Sequence, residues 1–584
     1  METTQPVQRK AAHSNRTRFL ALLDELLTRT SLSTTDVVEL AEERCQHSYV
    51  ELSEVLASAE VDLRELLSNC LDKSIDSICL LPVASYIQEH VARFNGAFDE
   101  VVLCDNKKAG REIAGRTVLS QTQLDHSGLT YDAYVNTTSS REVEALFERS
   151  IPDGCGVSFN QFATALVRET GSLSSEQGIE QLVARIANAA RPLVILSGIY
   201  LNTYTPTLRA LAKEGYDIFV VARSSTAWIH AGHLAKIDST LDFADVVTVD
   251  LDGMLLLLDR LDHGSIFIPG AEESFIGCAF DCSRAAASAA YVAAIEQFSK
   301  VPVLLGLYDI IKPVTKSLHS ESDLMVTFKA MLENASAISI GANSIEAGIQ
   351  AVSAFGVTTP VESFYRYGVY VEGLEERLGD GIHIAMVGGA LVSDSDNPFL
   401  PGFSFFKELL DQELHLHVFS SALAPRRFES TLTSSQRTFF HVHDSIQNPY
   451  ELTRELSRYH AGMIINDTVE LSRMIAGYKQ RVLGELAYHF LTTMTPSAAM
   501  LFGCAGLPII LNRTMSSLLR QFPAEHFIPT ELSEFARLGD RLRRIDWDHC
   551  HEVTRDDRRL FSIDTNIDRF VQTIDDLGLN SPTE

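Results

Sequence analysis

The residues best suited to chemistry lie in TPSAAMLFGCAGLPIIL, positions 495–511. Thr495 and Ser497 flank a proline and Ala498 and Ala499 follow, which predicts a helix beginning at the Thr-Pro-Ser step. Proline suits a first turn because it has no N–H to leave unpaired. The N–H groups of Ser497, Ala498 and Ala499 at a helix start, reinforced by the helix dipole, suit a phosphate. Small side chains at Ala498 and Ala499 keep the approach open. The competing account is packing alone, a buried helix that stops at Ala-Gly-Leu-Pro and enters a buried strand. Gly388 and Gly389, in MVGGALVSDSDN just after an apolar run, let backbone approach a ligand closely, although a tight turn needs the same residues. His441 and His443 stand two apart on one strand and so share a face. No acid or cysteine lies at a spacing that completes a metal set, so no metal is expected. His443, near the strand end, reads as packed or as a ligand contact.

These residues need a scaffold, and the chain supplies an α/β pattern three times. Residues 1–75 read as an N-terminal helical segment, with RFLALLDELL and VELSEVLASAEVDLRELLSNCL carrying apolar residues at helical spacing. Residues 76–150 alternate strand and helix as a small Rossmann-like unit. Asp105 ends its second strand, where nucleotide-binding folds hold a ribose hydroxyl. LLPVASY lacks the glycines that let backbone meet a pyrophosphate, so a packing or regulatory module without cofactor is the preferred reading. Residues 151–190 form a connector. A larger α/β pattern occupies 191–375, with the runs PLVILSGIY, DIFVVARSS, ADVVTVD, SIFIPG, VPVLLGLYD and ASAISIGANS. The pattern restarts over 380–522 with IHIAMVGGAL, LHLHVFSS, TFFHVHDS and AGMIIN. Continuous apolar strands alternating with helices predict parallel sheets covered on both faces. A helical tail, 523–584, is expected to pack back on the first of these two domains. The fold class is therefore α/β, two tandem Rossmann-like domains behind a helical segment and a smaller Rossmann-like one.

The bulk numbers exclude some functions. At 584 residues the chain is too long for one core. Its formal charge of −28 repels polynucleotide phosphates and anionic lipid. The nine cysteines are odd in number and scattered, as expected of reduced thiols in the cytoplasm. The first residues have no apolar core of a secretion signal, and the longest near-apolar stretch, 496–511, falls short of the roughly 20 residues of a membrane span.

A family resemblance rests on PSAAMLFGCAGLPIIL together with PYELTRELSRYHAGMIIN upstream. Pro496, Ser497, Ala505, Gly506 and Pro508, with Glu451, Leu452, Leu456, Ser457, Tyr459 and Gly462, resemble the carboxy-terminal half of glycosyltransferases with the GT-B fold, over about 190–525. The resemblance implies a nucleotide-diphosphate sugar as donor, bound by the second domain through Gly388, Gly389, His443, Thr495, Ser497, Ala498 and Ala499. It implies an acceptor glycan or protein on the first domain, no cofactor, and no metal; Arg426 or Lys479 could assist the leaving diphosphate, although both read first as surface residues. Asp309 and Glu272, at strand ends, are the candidates for a catalytic base if transfer inverts configuration, although each reads equally as a helix cap or a solvated acid. Three departures stand out: Ala498 where the family carries Lys, Leu501 where it carries a ribose-gripping Glu, and His460 where it carries Asp. They leave open a fold that binds partners without catalysis, and a nucleotide-sugar epimerase is a third reading. Residues 1–150 are the expected site for a protein partner. The small domain's Asp105, Gly110, Ile113, Gly115, Val118 and Ser120 resemble modules found beside sugar-modifying enzymes.

Overall fold

A computed structural model describes residues 5–579 except 44–51, 53–55, 58–60, 139–146, 148–150, 153, 170–175, 198–200, 224–241, 272–274, 277–281, 308–320, 341–347, 350–351, 354, 365–367, 389–402, 421–422, 445, 447 and 466–496. The apolar runs become three sheets. The first contains β1 (Ser77–Leu81), β2 (Glu100–Cys104), β3 (Glu112–Ile113), β4 (Arg116–Leu119), β5 (Ala133–Asn136) and β6 (Gly156–Val157), in the order β3-β4-β2-β1-β5-β6. Only β3 and β4 pair antiparallel there. The second contains β7 (Pro192–Ser197), β8 (Asp217–Arg223), β9 (Ala244–Val249), β10 (Ser265–Pro269), β11 (Val303–Leu307), β12 (Ala337–Ile340) and β13 (Val361–Phe364), and is parallel throughout. Its order, β9-β8-β7-β10-β11-β12-β13, reverses direction between β7 and β10.

The third sheet contains β14 (Ile382–Val387), β15 (Leu414–Phe419), β16 (Phe440–His443), β17 (Ala461–Ile464), β18 (Ile509–Asn512) and β19 (Phe527–Thr530). Its order is β16-β15-β14-β17-β18-β19, again all parallel and again with a reversal beside the first strand. Each of these two sheets has the doubly wound Rossmann order, in which ligands bind beyond the carboxyl ends of the strands near the reversal. The third sheet runs past residue 522, because β19 lies in the segment read from sequence as a helical tail. Four residues with a proline among them, FIPT, make a poor periodic signal. Likewise Val361–Phe364, in 191–375 but outside the apolar runs named there, is an edge strand of the second sheet.

Burial explains why these runs settle as they do. Along β7, Leu193 and Ile195 join one core and Val194 and Leu196 the other, so the strand is apolar on both faces and has no polar side to show water. One face of the second sheet is covered by the helices Cys282–Phe298 and Glu321–Asn334, and by the N-terminal helix Gln5–Leu27, whose Phe19 meets the Tyr291 ring edge-on at 5.3 Å. The opposite face is covered by Leu201–Lys213 and by the last helix, Asp568–Leu579. The N-terminal helical segment therefore divides. Residues of Gln5–Glu43 pack on the second sheet, while Leu52, Leu56 and the helix Leu63–Leu71 pack on the first.

The chain passes between the second and third sheets twice. On the way out, Gly368 donates its N–H to Phe561 O at 2.9 Å, and Gly368 O accepts from Ile563 N–H at 2.9 Å on the way back. Beside this bridge Arg558 donates to the Tyr370 hydroxyl at 2.9 Å and to Glu372 O at 3.1 Å, with its guanidinium 4.3 Å over the Tyr370 ring. Among the described residues no helix is long and apolar enough to cross a membrane.

Candidate functional site

The third sheet's carboxyl edge gathers the sequence candidates that lie within the described residues. Gly388 follows β14 with φ +83°, a left-handed conformation that favours glycine, and donates its N–H to Phe419 O at 3.0 Å. Among the described residues nothing would lie within 4 Å of a Cβ at Gly388. His443 ends β16, and its carbonyl accepts from Ser420 N–H at 3.1 Å, which sets the ends of β14, β15 and β16 side by side. The helix Ser497–Cys504 enters β18 through Gly506, whose φ is +70°. A helix that leads into a parallel strand runs antiparallel to it, so the Ser497 end lies at this same carboxyl edge. Its first turn carries backbone N–H groups at that edge.

Ser497 and Ala498 are half-buried at that end, whereas Ala499 is fully buried. The Ala499 side chain belongs to the core, with Phe502 and Ile509, so only its backbone faces the question of a ligand. Leu501 packs against the same cluster. Gly389, Thr495, Glu272, Asp309 and Lys479 lie outside the described residues. Arg426, in the helix Leu423–Ser430, is exposed. In the first sheet the buried Asp105 commits its carboxylate to its own loop, accepting from Lys107 N–H at 2.8 Å and Lys108 N–H at 3.2 Å, with Lys108 Nζ 3.5 Å away.

What the sequence reading missed is a field of histidines. His383 on β14, His415 and His417 on β15, and His441 and His443 on β16 share one face of the sheet, and His460 lies just before β17. The signal was available in IHIA, LHLHVF and FHVH, where His alternates with apolar residues; only the last pair was read. Ile384, Leu416, Val418 and Phe440 fill the opposite face with core. On the histidine face the rings stack: His383 on His415 with centroids 4.3 Å apart, His417 on His441 at 4.3 Å, and Phe419 on His443 at 4.6 Å. Tyr459 tilts against His417 at 4.7 Å and Trp547 stands edge-on to His460 at 5.3 Å.

The rings are joined through their nitrogens. His383 Nε2 lies 2.9 Å from Gly379 O, His383 Nδ1 lies 2.9 Å from His417 Nε2, and His417 Nδ1 lies 3.0 Å from His443 Nε2. A parallel link joins His415 Nδ1 to His441 Nε2 at 3.1 Å. Burial disfavours the charged imidazolium at every one of these positions. Desolvation, aided by neighbouring histidines, pushes His417 down to about 2 and His415 down to about 4. Desolvation first, with Arg377 second, takes His460 to about 3. His383, His441 and His443 are lowered by desolvation as well. The cluster is therefore neutral at physiological pH, and its rings bond one another. Among the described residues no group of three or more His, Cys, Asp or Glu is placed to hold a metal ion.

No protein family and no curated protein matches the chain by sequence. Among solved structures, it is similar to a glycosyltransferase from Rickettsia africae ESF-5, at 10% identity and TM-score 0.42, over 67% of this chain and 99% of that one. It is also similar to an α,α-trehalose 6-phosphate synthase from Burkholderia multivorans, at 11% identity and TM-score 0.39, over 67% of this chain and 100% of that one. A third is the S. aureus MnaA–UDP complex, at 11% identity and TM-score 0.39, over 68% of this chain and 98% of that one. From its own topology, this chain carries the doubly wound Rossmann order in two successive sheets.

Proposed function

We propose that the chain is a glycosyltransferase that holds a nucleotide-diphosphate sugar at the carboxyl edge of the third sheet and passes the sugar to an acceptor glycan or protein bound against the second sheet. The observation that supports this reading best is a convergence at one edge: the Gly388 turn, His443 and the N-terminus of Ser497–Cys504. A diphosphate there is neutralised by backbone N–H groups and the helix dipole, as charge develops on the leaving group, without a metal. Asp309 and Glu272 follow β11 and β10 on the second sheet and are the proposed bases for an inverting transfer. The packed Leu501 favours a second reading, a protein that binds such a ligand or a partner without turnover.

The test is thermal melting against UDP-glucose, GDP-mannose and ADP-glucose, for the wild type and Ala498→Glu. An acid in a first helical turn agrees with the dipole, so the variant's own stability should hold. A donor at 100 times its Kd stabilises the wild type by about 2.7 kcal/mol, and the added carboxylate should remove that gain. A donor that stabilises both proteins equally places binding elsewhere. If no donor shifts the wild type, the transferase reading fails.

A further inference from the structure

Three imidazoles climb the third sheet on a diagonal, each one strand over and two residues nearer the carboxyl edge than the last: His383, His417, His443. The foot of the diagonal is a backbone carbonyl, Gly379 O, which can only accept. His383 must therefore carry its proton on Nε2, and as a neutral ring it keeps Nδ1 bare. A bare Nδ1 on His383 requires His417 Nε2 to donate, which leaves His417 Nδ1 bare in turn. His443 Nε2 must then donate to His417 Nδ1, so the lone pair on His443 Nδ1 is the free end of the chain. The two nitrogens of an imidazole point to nearly opposite sides, so this lone pair is directed away from His417. The chain is a lock rather than a conduit, because a carbonyl at its foot can neither release a proton nor keep one.

We infer that His383 and His417 are positioning residues that fix His443 in one tautomer, presenting Nδ1 as a hydrogen-bond acceptor for a hydroxyl or N–H of the bound ligand rather than as a donor to its phosphates. The inference rests on the proposed function, since a nucleotide sugar supplies such hydroxyls beside its diphosphate. It divides the labour at the edge: the N–H groups at Ser497–Cys504 meet anionic oxygen, and His443 meets a neutral donor. A lone pair facing a phosphate oxygen would be repelled, so His443 sets orientation as well as affinity. His460 supports the foot of the diagonal from the side: the His383 backbone N–H donates to His460 Nδ1 at 3.2 Å, and the two rings stack at 5.8 Å.

The experiment is ¹⁵N NMR of the full chain labelled at histidine, near pH 7.5. Couplings across the hydrogen bonds should link His443 Nε2 to His417 Nδ1 and His417 Nε2 to His383 Nδ1, with the proton on Nε2 in each pair. A proton on His443 Nδ1 in the wild type overturns the inference. His383→Phe keeps a ring in place but removes the anchor, and a measurable Nδ1–H form of His443 should emerge. His383→Gln can donate to Gly379 O and accept from His417, and should restore the single form. If His383→Phe leaves His443 unchanged, the lock is not what fixes it. If that variant fails to fold, the wild-type couplings decide. With UDP-glucose, GDP-mannose or ADP-glucose bound, the His443 Nδ1 signal should move while the Nε2 coupling persists; protonation of Nδ1 on binding overturns the inference. Absence of binding by all three defeats the proposed function and leaves the couplings to judge the lock.

Discussion

At the scale of single residues, Glu296 shows how much one buried acid can weigh. It sits inside the helix Cys282–Phe298 with no partner for either carboxylate oxygen among the described residues, and burial holds its pKa well above the ordinary range. The folded state keeps a proton there that the unfolded chain gives up. Its contribution is therefore least harmful below the ordinary glutamate pKa, and worsens by about 1.4 kcal/mol per pH unit above it until the folded carboxyl itself titrates. Glu296→Met should raise the melting temperature by a margin that is larger at pH 8 than at pH 5; an equal margin at both would refute the assignment. Residues such as this are illegible in sequence. Glu296 lies in SRAAASAAYVAAIEQF, where helical periodicity leaves its face unmarked because alanine is compatible with either side. Ala499 is similar: a small residue at a helix start reads as room for a ligand, and only the packing shows its methyl in the core.

Elements were far more legible than residues, because a strand buried on both faces is an unbroken apolar run, as in PLVILS, VLLGL and AISI. What escaped were elements too short to carry a period, such as Glu112–Ile113, Gly156–Val157 and Phe527–Thr530. The histidine strands escaped as a site because alternation marks only a shared face; the diagonal needs the register between strands. Two predictions belong here. The histidines are held below their ordinary pKa, so their own contribution to stability is complete above about pH 6.5 and falls as pH drops, because the unfolded chain binds protons that the fold refuses. His417 faces His383, His415, His441 and His443, and Glu455, Asp444 and Arg458 act on His443 at the end of the chain. For His417 alone the loss is about 1.4 kcal/mol per pH unit below that point. Urea unfolding at pH 7.5 and 5.5 should show it, and His417→Phe should flatten the slope. The second concerns Gly503, where a Cβ would land within the Phe561 ring. Alanine gains about 1 kcal/mol in a free helix. Overpacking costs about 1–3 kcal/mol, and Phe561 has little room to retreat, being fully buried and stacked on Phe522 at 4.2 Å. Gly503→Ala should therefore be net destabilising, read as a lower urea midpoint at unchanged slope.

At the scale of the whole molecule, the doubled crossing fastens the site helix to the route between the two sheets. A Cβ at Gly368 would come within 2.5 Å of Met500 O and 2.8 Å of Cys504 Sγ, so any side chain at 368 pushes on Ser497–Cys504. Gly368→Val should weaken whatever binds at the carboxyl edge without touching it, measurable as a smaller ligand-induced melting shift at equal protein concentration. The sequence suggested that the tail returns to the first large domain, and the contacts show how. Phe570 meets Phe267 edge-on at 5.2 Å, and the Tyr216 hydroxyl donates to Asp575 Oδ1 at 2.7 Å.

That last contact joins residues 359 positions apart. At roughly 5–20 residues per second, a ribosome needs about 20–70 s to travel between them. The last strand of the sheet bearing Phe267 ends at Phe364, and its covering helix begins only at Asp568. For the later part of that interval the sheet has therefore been made but lacks this helix, and the domain synthesised earlier is completed only after the later one has emerged. The two large domains are thus not successive products of translation. The nascent chain carries an apolar face in need of shelter until the helix Asp568–Leu579 arrives.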